Sequence, residues 1–487
     1  MAAPSGAAAP GRAAGAGYSV PSAPSGPLVI TGSALAAGGS KAWFTDQNGS
    51  PRLYVGDECW SIVANGGEWN SGNYQSTYDT FLSQRAAQGY TGVEVSWSSW
   101  NGPNTAFAFS TSQDWDGAWP FTSTSDPSSG FNSTFWARRD YFLNSAKNNG
   151  ITVVMNITTP FYGNSGGTPQ RSWTGTQWTA YANGLAARYA SQPNLIWIVG
   201  DDYFSDGGGP LDQGLATVYT ALRAAGDTHL ITIQNYQEAT SRLDIFSLAK
   251  DPVPFDVHAQ IEWGYSYNPS YDVVEKAQTY VPSGSDDAQS LIPPLWSDGF
   301  QLATGVDAGQ TDVRLMRQMM WWALSSGACG LQTGDNDVWP WGSTSAAQIT
   351  GKSFYTSVVP AIITAFTGLR GWHKLVADTS SLLVTAGRGT HVTPIVSGGS
   401  GTAYTADTDN YVTASRVPDG SLAVIYCGLA FNITIDQTKM QASYTASRVD
   451  PLTGAATAVT AGSTYNSASW GNNSAGDPDW VLVLKGP

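Results

Sequence analysis

Positive charge is scarce in this sequence and is gathered nowhere. Its 487 residues hold 23 Lys and Arg against 37 Asp and Glu, a formal net charge of −14. Without a basic stripe to neutralise phosphates, nucleic acid and anionic membranes are poor partners for this surface, and neither is expected. Cysteine is nearly absent: Cys59, Cys329 and Cys427 lie far apart, with none of the spacings that hold a metal. Packing thiols are expected in preference to the one disulfide that three cysteines permit. Four scattered histidines form no H-E-x-x-H, so no metal or other cofactor is called for. No stretch approaches the roughly 20 consecutive apolar residues of a membrane-spanning helix. Residues 1–26, rich in Ala, Pro, Gly and Ser, lack the apolar core of a secretory signal and read as a flexible tail or linker.

What the chain does have is aromatic and small polar residues. Only 12% of residues are charged, yet 12% are aromatic, including 20 Trp. Low charge with abundant Ser, Thr, Asn, Gly and aromatics resembles the composition of extracellular proteins that handle polysaccharides. A secreted location is therefore expected, reached through a segment already removed or through attachment to another component.

From Leu53 to about Thr367, short β-like runs alternate with amphipathic stretches. Strands are expected at RLYVGD (52–57), GVEVSW (92–97), TVVMNI (152–157), LIWIV (195–199), HLITIQ (229–234), FDVHAQI (255–261), PPLWS (293–297) and ACGLQT (328–333). A hairpin, AWFTDQNGSPRLYVGD, precedes them and turns at Asn48-Gly49. Between the strands, YQSTYDTFLSQRAAQ, STFWARRDYFLNSAKNN, WTAYANGLAARYA, LDQGLATVYTALRAA and TDVRLMRQMMWWALSS set apolar residues three and four apart, the helical spacing. Eight alternations over this length predict an α/β chain closed as a (β/α)8 barrel across residues 27–367. Helix-to-strand links are terse, whereas the strand-to-helix segments 98–132, 158–176 and 334–346 are long. In a barrel those long loops share the face that carries function. Eleven of the 20 Trp fall on that side (60, 69, 97, 100, 115, 119, 173, 263, 296, 339 and 341), which predicts an aromatic-lined cleft suited to sugar rings. From 368 to 487, apolar and polar residues alternate around Pro-Asp-Gly and Asp-Pro-Leu-Thr-Gly turns, predicting a C-terminal antiparallel β-sandwich.

Acids at strand ends carry the candidate chemistry. NLIWIVGDDYF (194–204) ends a wholly apolar run in two adjacent carboxylates, which are costly there unless paired or used. PPLWSDGF sets Asp298 after the seventh strand. Glycoside hydrolysis needs two carboxyls flanking one bond, one kept protonated and the other ionised. Asp202 as general acid and Asp298 as nucleophile or water-activating base meet that need. The bland alternative has Asp201 and Asp202 capping the following helix or pairing with arginine, and Asp298 capping the seventh helix. The coincidence of two strand ends with the tryptophans favours the chemical reading. The residues expected around the sugar are Asp57, Glu58, Trp97, Asp201, His258, Glu262, Trp263, Trp296 and Trp339, with Glu262 the rival to Asp298 as second carboxylate. Asp335 and Asp337, in GDNDVWPW, read as solvated loop acids. Glu94, inside strand two, reads as a structural acid in need of a partner such as an arginine.

These motifs resemble the apiosidase-like (β/α)8 glycoside hydrolases together with the β-domain that often trails them and carries a collagen-binding label. The likeness runs from about residue 41 to the C-terminus. YVGDECW is similar to the family's Gly-Asp-Thr-x-Trp first strand, and YDTFLSQRAAQGYTGVEV to its first helix and second strand. ARYASQPNLIWIVGDDY resembles its Arg-Tyr…Pro-Asn-x-Ile-Trp…Gly-Gly-Asp signature, and TDVRLMRQMMWWALSSGACGLQTGDNDVW its seventh helix and eighth strand. WHKLVADTSSLL, VDPLTGA and DPDWVLVL resemble the trailing domain. The resemblance implies a glycosidase acting on a polysaccharide or oligosaccharide, with furanosidic ends (apiose- or arabinose-like) as the substrate class. The family's Gly-Gly-Asp acid falls on Asp202, with Asp201 in place of the second glycine. Its strand-seven glutamate has no glutamate counterpart here, Asp298 being nearest. Aspartate at both positions shortens each side chain by about 1.5 Å. That widens the gap from the roughly 5–5.5 Å of retaining enzymes toward the roughly 6.5–9.5 Å of inverting ones, so inversion is favoured. Two rival functions stand beside this one: a catalytically silent glycan-binding protein that keeps the cleft, and a structural or adhesion component of a virion or cell surface.

Overall fold

The computed structural model describes residues 28–34, 40–97, 113–124, 126–157, 169–199, 210–234, 257–261, 270–279, 294–297, 301–302, 310–392 and 408–487. The chain enters through β1 (Val29–Ala34), antiparallel to β2 (Ser40–Thr45), which pairs in turn with the short β3 (Pro51–Arg52). The expected turn is present. Gly49 takes φ +76°, a region only glycine enters freely, and the Asp46 carboxylate accepts from the amides of Asn48 (2.9 Å) and Ser50 (3.0 Å).

The barrel follows. Its elements are β4 (Tyr54–Glu58), one helical turn α1 (Ile62–Asn65), α2 (Tyr74–Ala87), β5 (Gly92–Ser96), the hairpin β6 (Phe121–Ser123) and β7 (Asp126–Phe131), and α3 (Ser133–Asn148). Next come β8 (Thr152–Asn156), α4 (Gly175–Tyr189), β9 (Leu195–Ile198), α5 (Pro210–Ala224), β10 (Leu230–Gln234), β11 (Val257–Ile261) and α6 (Ser270–Thr279). β12 (Pro294–Ser297), the short β13 (Gln301–Leu302), α7 (Gln310–Ser325), β14 (Gly330–Asp335), α8 (Ser345–Gly351), a π-helical turn (Phe354–Val358) and α9 (Val359–Thr367) complete it. The parallel order β4-β5-β8-β9-β10-β11-β12-β14 closes on itself through the β14–β4 and β12–β14 ladders, giving an eight-stranded TIM-type barrel. Each of the eight expected strands takes its place in that ring.

A closed parallel sheet is buried on both faces, so its strands read as unbroken apolar runs. Parity sorts them into two layers. Val55, Val93, Val95, Met155, Trp197 and Leu331 pack outward under the helices. Tyr54, Val154, Ile196, Ile198 and Leu230 face inward, in one cluster with Leu28, Trp43 and Phe44 of the entry hairpin, which close the barrel floor. Local chemistry sets the helix starts. Thr174 opens α4 with a capping box, its hydroxyl accepting the Gln177 amide (3.3 Å) while the Gln177 side chain accepts the Thr174 amide (2.8 Å).

The chain then becomes all-β, with β15 (Val376–Ala377), β16 (Val384–Ala386), β17 (Thr413–Arg416), β18 (Leu422–Cys427), β19 (Asn432–Ile435), β20 (Thr445–Val449), β21 (Ala456–Val459), β22 (Thr464–Asn466) and β23 (Trp480–Lys485). These form a six-stranded antiparallel sheet, β15-β17-β18-β23-β20-β21, facing a three-stranded one, β16-β19-β22, around a separate apolar core. Cys59, Cys329 and Cys427 are buried free thiols. Among the described residues no helix is long and apolar enough to cross a membrane.

Candidate active site

The C-terminal ends of the barrel strands place the acids, and strand parity decides where each one points. In β4, Val55 and Asp57 share the outward face, while Tyr54 and Glu58 share the inward one. Asp57 was expected to contact the sugar. Its carboxylate lies behind the sheet, fully buried, accepting from Arg85 Nε of α2 at 2.7 Å and from the Thr333 hydroxyl at 3.3 Å. The guanidinium also donates to Gln88 (2.7 Å) and lies 4.0 Å from the centre of the Tyr355 ring. Burial pushes the Asp57 carboxyl up to about 6, against the pull of that guanidinium.

The eighth strand repeats the arrangement. Asp335 and Asp337, expected to be solvated, are buried and grip Lys352, with Nζ 2.6 Å from Asp335 and 3.0 Å from Asp337. The Tyr355 hydroxyl donates to Asp335 at 3.0 Å. Burial still holds Asp335 above the usual carboxylate range, with the Lys352 ammonium opposing. One ammonium held between two carboxylates explains why these loop acids leave water.

Trp97, expected on the sugar side, also lies behind the sheet. Its ring stacks on Trp136 of α3 at 5.7 Å and 13°, and it is 2% exposed. Trp173 and Trp341, counted toward the cleft, are core residues as well, packed on Trp178 and Phe81. Trp60 and Trp339 do meet at the mouth between β4 and β14, edge to face at 6.4 Å, with Trp339 half-buried.

The inward face carries Glu58 and Glu94, Cα partners across the β4–β5 ladder and both fully buried. Glu94, expected to need a partner, accepts from the Gln332 amide of β14. Tyr54 stands beneath them, its ring laid against Gly56 and Gly92. Burial, then the charges of Glu94, Glu58 and Asp57, raise its hydroxyl well above its usual range. Tyr54 and Gln332 were not foreseen. The signal for Tyr54 was two glycines at the strand positions its ring covers.

Asp201, Asp202, Glu262, Trp263 and Asp298 lie outside the described residues, as do the side chains of His258 in β11 and Trp296 in β12. Asp298 follows Ser297, the last residue of β12, and Asp201 and Asp202 follow the end of β9.

A closed (β/α)8 barrel with acids at its strand ends and a β-sandwich behind it is an architecture that glycoside hydrolases share with other enzymes. The model of the Apiosidase-like catalytic domain matches residues 39–381, and the chain belongs to that family. A search of curated proteins returns no match. Among solved structures, a glycoside hydrolase family 5 protein from Bacteroides vulgatus superposes with TM-score 0.69 at 18% identity, covering 94% of this chain and 92% of that one. A second structure, named simply a glycoside hydrolase, gives TM-score 0.68 at 16% identity over 94% and 97%. At these identities the likeness is one of fold. Family and fold together support glycosidase activity.

Proposed function

We propose that the protein is a secreted glycosidase that hydrolyses a glycosidic bond in an extracellular polysaccharide, furanosidic ends being the substrate class. Asp202 is the general acid, and Asp298 the nucleophile or the base that activates water. The observation that carries this reading is the family match over residues 39–381, in which the strands preceding both acids, β9 and β12, belong to one closed parallel ring. Parallel strands open their C-terminal ends on the same face, and β9 and β12 both end there, which supports the reading. Protonation of the leaving oxygen by one carboxyl and attack supported by the other is the chemistry such a pair performs.

Reducing-sugar release over a panel of arabinan, pectin and apiose-bearing glycans tests it. Asp202→Asn and Asp298→Asn should each lower kcat at least about 100-fold without loss of fold. Wild type that binds glycans without turnover would instead make it a lectin-like protein. Proton NMR of the first-formed anomer then reads the second carboxyl, and the inverted anomer is expected from two aspartates.

A further inference from the structure

We propose that a groove on the outer wall of the barrel, between the β6–β7 hairpin and helices α3 and α4, is a second, non-catalytic binding site for a neutral polysaccharide strand. This rests on the glycosidase reading and adds to it a place where the substrate is held away from the mouth.

The groove holds about 760 Å³, within the roughly 300–1,000 Å³ of ligand sites. Helix α4 forms one wall from Ala180 to Tyr189, about 13 Å of helix, and the groove continues to Gln192, short of the N-terminal end of β9. It therefore runs down the barrel, away from the C-terminal ends of the strands. Its walls are fixed before any ligand arrives. Gln177 of α4 donates to Asp126 of the hairpin at 3.1 Å, and the Asn132 side chain caps α3 by accepting the Thr134 amide at 3.1 Å. Phe131 stacks on Trp136 at 4.6 Å and 19°, using the space that Gly184 leaves: a Cβ there would stand 2.4 Å from the Phe131 ring.

The lining suits a hydroxylated ligand without charge. Arg188 and Asp140 form a two-pronged ion pair across α3 and α4, Nε to Oδ1 at 2.8 Å and Nη2 to Oδ2, with side chains 30% and 36% exposed. No other described residue of the lining is charged. The pair cancels its own charge, so neither an anion nor a metal ion finds an unmatched partner there. Hydroxyls do find partners. Each Asp140 oxygen accepts one bond from Arg188 and keeps a lone pair, and the exposed Asn144 amide accepts from Lys147 at 3.3 Å while its own N–H groups remain for a ligand. Acceptor and donor thus stand beside the half-buried Phe131 ring and the small side chains of Ala180 and Ala187, a polar edge on an apolar floor that matches the two kinds of surface on a sugar.

Retardation of the full chain in native gels containing arabinan, galactan or xylan tests this, with turnover of the same polysaccharides followed alongside. Wild type should be retarded by at least one of the three. Ala187→Trp, which fills the groove from an exposed position, should weaken that retention about 10-fold or more, and Asn144→Ala about 3-fold. Added inorganic phosphate should leave it unchanged. Wild type that none of the three retards overturns the proposal. So do two variants that melt like wild type and are retarded as strongly, since binding would then lie at the mouth; if Ala187→Trp melts lower, Asn144→Ala alone decides. Displacement by phosphate overturns it as well, making Arg188 an anion site, and so does a wild-type dimer in light scattering that Ala187→Trp dissolves, making the groove a contact between copies. Retention that depends on the groove, without turnover of any glycan, sinks the glycosidase reading and leaves this one. Turnover with retention indifferent to the groove does the reverse.

Discussion

At the scale of single residues, Asp57 and Glu58 are neighbours in sequence with opposite surroundings: one faces a guanidinium behind the sheet, the other a second carboxylate inside it. Hydropathy cannot tell them apart, because a barrel strand is buried on both faces and shows no alternation from which to read parity. That is why the acids of the first strand were legible as a group while the division of labour between them was not. It is also why Trp97, on the same parity as Val93 and Val95, was expected in the cleft and lies in the core. The parity has a measurable consequence at Asp57. Its folded-state value of about 6 lies above the ordinary 3.8, so the folded chain holds this proton more tightly than the unfolded one. The resulting stabilisation is complete below pH 3.8 and is lost as pH rises through 6. Denaturation of wild type and Asp57→Asn at pH values across that window should therefore show wild type losing about 3 kcal/mol more than the variant. Parallel pH profiles would contradict it. Arg85→Ala at neutral pH should cost about 3–5 kcal/mol, since it strands a buried carboxylate.

At the scale of elements, the eight strands were legible because each is a short apolar run set off by turn residues, and the count alone selects a closed barrel. Helix starts were less so. α4 begins at Gly175, ahead of the apolar pattern that opens at Trp178, because the Thr174 capping box rather than hydropathy sets the first turn. The floor of the lumen follows from a close fit between β4 and β5. A Cβ on Gly92 would meet Tyr54 Cε2 at 2.1 Å, and one on Gly56 would meet Cε1 of the same ring at 2.7 Å. Gly92→Ala should therefore destabilise by about 1–3 kcal/mol through overpacking. In the double variant with Tyr54→Ala the obstructing ring is gone, and most of that cost should disappear. A double-mutant cycle in urea reads the coupling, and strict additivity of the two changes would show that the ring does not occupy the space the glycines leave.

At the scale of the whole molecule, the β-domain keeps its own core but lends one sheet face to the barrel's. β18 and β23 are buried on both faces: Ala423, Ile425 and Leu482 point into the sandwich, while Val424, Tyr426 and Val481 join the cluster that runs through the barrel helices. The apolar run SLAVIYCG announced a strand, but nothing in it announced that its second face docks on α7. Polar contacts pin that docking. Arg317 of α7 reaches Asp479 and Asp477 at 2.8 Å each, Tyr426 donates to Asp479 at 2.9 Å, and the Trp321 indole donates to the Pro451 carbonyl at 2.9 Å. A surface of this kind, apolar and threaded by a buried ion pair, gives neither half a reason to unfold alone. Calorimetry of the full chain should show a single cooperative transition, with calorimetric and van't Hoff enthalpies agreeing. Arg317→Ala leaves Asp479 buried without its cation, so it should cost about 3–5 kcal/mol and lower that one transition as a whole. If instead the β-domain melted separately, or the substitution moved only one of two transitions, the lent face would not couple the two folding units and the barrel would stand without its partner.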